Sequence, residues 1–158
     1  MWFPRSAVPT PPLDQLLTPN VAPQRPVQRP SRSIDELASA IRAEWDADTA
    51  WIDDWSADNA PRGQCGSSSI VLQDHRGGEL MSALVEEAPG VVTVHYWNVL
   101  DLGQVDLTWH QFAPSARIAH AGLATREDLL TTSWLTARYE TLAARVLERL
   151  TAADALAG

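Results

Sequence analysis

The stretch that decides the fold is PRGQCGSSSIVLQDHRGGEL, residues 61–80. It contains Cys65, the single cysteine of the chain, directly before a run of small and apolar residues at 66–73 that suits a helix. The Gly77-Gly78 pair supplies a stop signal for that helix. The sequence therefore predicts a helix that carries a cysteine at its N-terminal end.

A cysteine in this position is a candidate nucleophile. The first turn of a helix presents unpaired N–H groups and the positive end of the helix dipole, and both favour a thiolate over a thiol. Gly63 and Gly66 leave room for a substrate backbone, so the N–H of Cys65, with the amide of Gln64, is expected to face a developing oxyanion. The alternative is that Cys65 is a small buried hydrophobic residue, and its position alone leaves both interpretations open.

A reactive thiolate needs a base, and the strongest candidate is His95, within the predicted strand VVTVHYWNVL (91–100). Asp106 stands in the next predicted strand, QVDLTW (104–109), after a short turn. If the residue numbers of facing positions in this hairpin sum to an odd number, His95 and Asp106 share a face and the carboxylate can hold the imidazole. With an even register they point apart, and Asn98 is the reserve partner. The alternative for a lone strand histidine is a satisfied core residue.

The other three histidines are weaker candidates. His75 is predicted to be an exposed residue near the end of the Cys65 helix, where a cation suits the helix dipole. His110 and His120 are predicted to lie in a solvated loop. A zinc site formed by Cys65, His75 and His95 is an alternative, but no paired ligand spacing supports it, so we expect no metal and no cofactor.

The remaining sequence predicts an α+β domain over residues 33–155. Ser33 and Glu36 form a capping box for a first helix, LMSALV (80–85) is a further strand, and a loop surrounds Pro114. The stretch 126–155 reads as helical, so the order of elements is helix, helix, strands, helix. Two apolar stripes mark the buried faces of the first and last helices: Ile34, Leu37, Ala38, Ile41 and Trp45, and then Leu135, Tyr139, Leu142, Val146 and Leu150.

An acidic segment, DADTAWIDDWSADNAP (46–61), precedes the Cys65 helix. It predicts a loop or broken helix whose Trp51 and Trp55 face the core, with one of them lining the groove wall as the alternative. A calcium loop is disfavoured because the ligand spacing and glycine are wrong. Three carboxylates of the segment are expected to border the site and to favour a neutral or cationic substrate. They are Asp53, Asp54 and Asp58. Arg62 is the counter-argument, because it could bind a substrate carboxylate.

Bulk composition excludes several functions. The net charge is −8 and all twelve cationic residues are Arg, so we expect no nucleic-acid binding and no mechanism that needs a lysine amine. We expect no membrane span and no signal peptide, and the single cysteine favours a cytoplasmic location. Residues 1–32 are predicted to form a flexible tail, because eight of the eleven Pro fall within the first 30 residues. Within it LDQLL (13–17) is a candidate docking turn, and the tail is a candidate site for a protein partner.

Three ordered motifs resemble the YunG-like family of small proteins: GQCGSSSIVLQDHRGGEL, HYWNVL and VDLTWHQF. The late RYETLAARV also matches, and the similarity runs from about residue 62 to 146. That family resembles papain-like and transglutaminase-like cysteine enzymes, in which a helix-borne Cys, a strand His and an Asp or Asn on the next strand form a triad. The resemblance implies a papain-like minimal core, with Cys65 as nucleophile, His95 as base and Asp106 as the residue that orients the imidazole.

Four further residues are candidates for oxyanion stabilisation or substrate binding: Arg62, Gln64, Trp97 and Asn98. Gln64 departs from the papain-like pattern, because the oxyanion glutamine of those enzymes stands several residues before the cysteine.

The sequence therefore predicts a cysteine-dependent enzyme that acts on an amide, peptide or thioester bond of a small-molecule or peptide substrate. Hydrolysis and acyl transfer to an amine use the same residues, so both stay open. The alternative is an inactive papain-like interaction module in which Cys65 is structural.

Overall fold

A computed structural model describes residues 32–157 of the protein. The predicted docking turn at 13–17 and all of the predicted tail except Arg32 lie outside the described residues. Within this described range, four helices and four strands follow in chain order, with short 3₁₀ turns at Ala57–Asn59 and Trp109–Gln111. They are α1 (Ile34–Ala43), α2 (Cys65–Arg76), β1 (Glu79–Ala88), β2 (Val91–Leu100), β3 (Gly103–Val105), β4 (Arg117–Ala124), α3 (Arg126–Leu130) and α4 (Ser133–Ala157).

The four strands form one antiparallel sheet in the order β3-β2-β1-β4. β2 and β3 pair in an odd register, since Asn98 faces Val105 and Leu100 faces Gly103. The predicted α+β class and the small antiparallel sheet are therefore confirmed. None of the helices in the described part of the chain combines the length and the apolar character that crossing a membrane requires.

α1 begins as predicted. The Ser33 hydroxyl accepts a hydrogen bond from the backbone N–H of Glu36, and the Glu36 carboxylate accepts one from the backbone N–H of Ser33. This reciprocal pair satisfies two N–H groups that the first turn cannot bond internally. Trp45, just beyond the helix, donates from Nε1 to the Ser68 hydroxyl at 2.9 Å and so ties the end of α1 to α2.

α2 lies at the centre of the fold. Its apolar residues divide between two parts of the core, one shared with α1 and α4 and one shared with the sheet. Asn98 of β2 donates to the backbone carbonyl of Ser69 at 2.9 Å, which fixes the helix against the sheet. Buried residues of the first part include Leu37, Ile41, Val71, Leu72, Leu142 and Val146, and those of the second are Ile70, Leu80, Leu129 and Leu135.

Several predicted boundaries are wrong. β3 ends at Val105, and the rest of the predicted strand 104–109 is irregular up to the 3₁₀ turn that begins at Trp109. The region predicted as a loop contains β4, an edge strand of sequence RIAHAGLA that buries little of its surface and is rich in residues with low β propensity. The predicted last helix is divided between α3 and α4.

The acidic segment is a loop with a short 3₁₀ turn, as expected, but its tryptophans lie outside the core. Trp51 is 36% exposed and its ring lies 6.1 Å from that of Trp134, between ring centroids. Trp55 is half-buried and donates from Nε1 to the carbonyl of Ala60. The prediction that these rings face the core is therefore wrong for Trp51, because the loop runs over the surface and its indole finds a partner there.

Gly78 provides a test of how α2 is joined to the sheet. Its φ is +79°, and an added Cβ would overlap the Val99 carbonyl oxygen and lie 2.8 Å from Leu100 Cδ2. Gly90, in the β1–β2 turn, has a similar φ of +77° but no atom within 4 Å of an added Cβ. Gly78→Ala and Gly90→Ala should each lower the free energy of unfolding by about 1–2 kcal/mol through backbone strain. Gly78→Ala should lose roughly 1–3 kcal/mol more through overlap. Urea unfolding measures both, and equal losses would contradict this account.

Candidate active site

Cys65 is the first residue of α2 and is 2% exposed. The turn that leads into the helix requires Gly63, whose φ is +76° and whose added Cβ would lie 2.8 Å from Ile52 Cγ1. The Gly63 carbonyl accepts from the backbone N–H of Trp51, which holds the acidic loop against this turn. The predicted position of Cys65 at a helix start is therefore confirmed.

His95 and Asp106 are in contact. The odd register of the β2–β3 hairpin places them on one face, and His95 Nε2 lies 2.6 Å from Asp106 Oδ2. Because a carboxylate only accepts, Nε2 carries the proton in this bond. The other carboxylate oxygen, Oδ1, accepts from the backbone N–H of Thr108 at 2.9 Å. Asp106 is thus held from both sides, just beyond the end of β3.

Aromatic rings enclose the His95 side chain, which is fully buried. Trp97 stacks on the imidazole with 5.8 Å between ring centroids, and Trp109 and Phe112 approach edge-on at 5.7 Å and 5.0 Å. Trp97 is itself fixed by a 3.0 Å hydrogen bond from Nε1 to Gln104 Oε1. This enclosure restricts water and leaves Asp106 and Cys65 as the polar groups that control the charge of the imidazole.

The pKa of His95 is raised. Burial alone would lower the pKa, but the hydrogen bond to Asp106, together with hydrogen bonding and charge interaction with Cys65, raises it to about 9. Since Nε2 is bound to Asp106, Nδ1 is the ring nitrogen left for the Cys65 thiol. With a pKa of about 9, His95 is an imidazolium at neutral pH, paired with the Asp106 carboxylate.

Gln111 is a site residue that the sequence reasoning missed. Its Nε2 donates to the Thr108 carbonyl at 3.1 Å and lies 3.4 Å from His95 Nδ1. Its Oε1 accepts from the backbone N–H of Gly63 at 3.4 Å. Gln111 lies within the motif VDLTWHQF, two residues beyond the predicted strand 104–109. Its side chain reaches the imidazole from the 3₁₀ turn Trp109–Gln111, which was not predicted.

Gln64 is placed differently from the prediction. Its side chain is fully buried, and Nε2 donates to the backbone carbonyl of Asp46 at 2.9 Å. Its Oε1 has no hydrogen-bond partner among residues 32–157. The hydrogen bond to Asp46 ties the Gln64 side chain to the loop after α1.

Arg62 forms an ion pair with Glu87, with 2.6 Å between Nη1 and Oε2. Glu87 also accepts from the Thr93 hydroxyl. Burial would raise the pKa of Glu87, but the hydrogen bonds from Arg62 and Thr93 hold it below its usual value. A substrate carboxylate that bound Arg62, as predicted, would therefore have to compete with Glu87.

Asn98 lies on the opposite face of β2 from His95, because side chains alternate along a strand. Its amide donates to the Ser69 carbonyl, so its position serves the packing of α2. Asn98 is therefore not the partner of the imidazole in this structure, and Asp106 is.

The remaining histidines lie elsewhere. His75 is half-buried in the last turn of α2, whereas an exposed position was expected. His110 is exposed in a 3₁₀ turn, and His120 is exposed on β4 rather than in a loop. Within residues 32–157 no group of three or more His, Cys, Asp or Glu side chains is placed to hold a metal ion.

Comparison with known proteins identifies the family. The sequence matches the model of the family described as YunG protein over residues 33–151, so the chain belongs to the YunG family. It is similar to the protein named "Uncharacterized protein YunG" of Bacillus subtilis (strain 168), with 29% identity over 79 residues. That match covers 50% of this chain and 64% of the Bacillus protein, slightly less than two thirds of its length. No solved structure matches the chain.

The charge of the imidazole can be tested directly. We expect the ring signals of His95, followed by NMR against pH, to report an imidazolium that loses its proton at a pKa of about 9. Asp106→Asn should bring the pKa down, because it removes the largest interaction that opposes burial. Asp101→Asn, at an exposed turn position of the same hairpin, is the matched control and should leave the titration unchanged. A His95 that titrates alike in wild type and Asp106→Asn would contradict the assignment.

Proposed function

We propose that this member of the YunG family is a cysteine-dependent acyl-transfer enzyme that acts on an amide, peptide or thioester bond. One observation carries the proposal: His95 contacts Asp106 through Nε2 and interacts with Cys65 at the start of a helix. Nucleophile, base and orienting carboxylate stand in the order that acyl-transfer chemistry requires.

The proposed reaction begins with attack of the Cys65 thiolate on the carbonyl carbon of the substrate. The carbonyl π electrons move to the oxygen, and a C–S bond forms. As the oxyanion collapses, the bond to the leaving nitrogen or sulfur breaks and His95 Nδ1 gives its proton to that atom. Asp106 keeps the ring oriented through Nε2.

The acyl-enzyme is then a thioester on Cys65. Water or an amine attacks its carbonyl carbon, and the neutral His95 takes a proton from the attacking group. Collapse of this second oxyanion breaks the C–S bond and restores the ion pair of thiolate and imidazolium. Hydrolysis and transfer to an amine differ only in the acceptor, so the same three residues serve both.

We further propose that the fold is a papain-like minimal core. The supporting features are the helix that begins at Cys65, the strand position of His95 and the place of Asp106 directly after the next strand. The single cysteine is free, which suits a reducing compartment, and we place the protein in the cytoplasm on that ground.

A non-catalytic interaction module is the second candidate. It is favoured by the near-complete burial of Cys65, which is 2% exposed. In that case Cys65 would be a packing residue and would not react in the folded protein. Reactivity in the native state therefore separates the two functions.

The test uses an activated acyl donor. Folded protein mixed with p-nitrophenyl acetate should release p-nitrophenolate and gain one acetyl group, located on Cys65 by mass spectrometry. Cys65→Ala should abolish the modification, and His95→Gln should slow it by roughly 10²-fold or more because the general acid–base group is lost. His120→Gln, which changes an exposed histidine of β4, should react as wild type does.

Two results would contradict the proposal. One is a Cys65 that becomes acetylated only after unfolding. The other is equal acetylation of wild type and His95→Gln, which would mean that the imidazole does not assist the thiol.

A further inference from the structure

Gln111 has contacts on both sides of the site. It ends the 3₁₀ turn Trp109–Gln111 and is 6% exposed. Its side-chain oxygen faces the backbone of Gly63, two residues before Cys65, and its side-chain nitrogen faces the imidazole of His95. The Gly63 N–H bonds Oε1, and this fixes which end of the amide points toward His95.

The contact between Gln111 and His95 depends on the charge of the ring. Neutral His95 protonated on Nε2 presents a lone pair at Nδ1, and the amide N–H can donate to it. In the imidazolium both ring nitrogens are donors, and the proton on Nδ1 serves Cys65 in the proposed ion pair. Two donors 3.4 Å apart cannot bond to each other.

The amide nitrogen of Gln111 carries two hydrogens. One is bonded to the Thr108 carbonyl at 3.1 Å. In the ion-pair state the other has lost its acceptor on His95 and lies beside the ring nitrogen that serves Cys65. A buried donor left in this way gains most from an acceptor that a ligand brings.

We propose that Gln111 is the side-chain oxyanion donor of the site. Its second Nε2 hydrogen bonds to the carbonyl oxygen of the acyl group as Cys65 attacks, together with the backbone N–H of Cys65 at the start of α2. Gln111 is thus a catalytic residue that touches the substrate. This role rests on the proposed acyl-transfer function. The sequence predicted this role for Gln64, whose Nε2 bonds to the Asp46 carbonyl, whereas Gln111 Nε2 lies 3.4 Å from His95 Nδ1.

This role restricts the chemistry that Gln111 assists. Attack on an ester, amide or thioester places negative charge on the carbonyl oxygen, and a fixed donor stabilises that charge. Alkylation by iodoacetamide forms a C–S bond at a saturated carbon and expels iodide, so no oxyanion forms. The two reactions use the same thiolate and differ in their need for Gln111.

The experiment compares these reactions in the full chain. Rate constants for acetylation of Cys65 by p-nitrophenyl acetate and for its alkylation by iodoacetamide are measured in wild type and in Gln111→Met, which keeps the length of the side chain without its donors. We expect acetylation to fall about 10²-fold or more and alkylation to stay within about threefold of wild type, because the thiolate is retained. The ratio of the two rates is the readout.

Gln64→Met is the matched control, because it removes a second buried glutamine on the other side of Cys65. It should leave the ratio at the wild-type value whatever it does to stability. If Gln111→Met does not fold, Gln111→Leu, which also lacks the donors and adds no charge beside His95, should show the same loss in the ratio.

Three results would overturn the proposal. If both rates fall together in the Gln111 variant, the residue only positions His95. If neither rate changes, or if Gln64→Met alone lowers the ratio, the oxyanion donor is elsewhere. A wild-type Cys65 that reacts with neither reagent in the folded protein would instead remove the acyl-transfer function itself, and that failure is visible before any glutamine is changed.

Discussion

The hydrogen bond between His95 and Asp106 is the constraint on which the site depends. A fully buried imidazolium costs several kcal/mol unless it is paired, and the 2.6 Å contact with a carboxylate provides that pairing. The contact requires an odd register between β2 and β3, and β3 ends at Val105, directly before Asp106. The 3₁₀ turn that follows then brings Gln111 to the same imidazole.

The position of Cys65 is set by the other half of the structure. Gly63 allows the turn into α2, Asn98 fixes the helix on the sheet through Ser69, and Gly78 turns the chain from the end of α2 into β1. Asn98 lies on the face of β2 opposite His95, so one strand holds the helix with one side chain and carries the imidazole on its other face.

Local signals in the sequence predicted the parts of this arrangement that depend on neighbouring residues. The capping box of Ser33 and the helix start at Cys65 follow from short-range hydrogen bonding and turn chemistry. The odd register was a condition that the sequence could state but not decide, since it depends on how the hairpin closes. β4 was missed because an exposed edge strand of small residues has no alternating apolar pattern. The pairing of Arg62 with Glu87 and the contact of Gln111 with His95 were not predictable, because each joins residues from separate elements.

The charges of the site explain why neutral donors matter in it. In the proposed mechanism, a thiolate on Cys65, an imidazolium on His95 and a carboxylate on Asp106 would give the site one net negative charge before any substrate binds. Arg62 offers little compensation, since Glu87 neutralises it, and the chain contains no lysine. In the proposed attack by Cys65, the negative charge moves from sulfur to the carbonyl oxygen, and it must be stabilised there while His95 still holds its proton. In that mechanism, backbone N–H groups of the first turn of α2 and the amide of Gln111 stabilise the charge without adding a cation, which would compete with His95 for Asp106. The single mobile proton of the proposed site is thus kept for the leaving group.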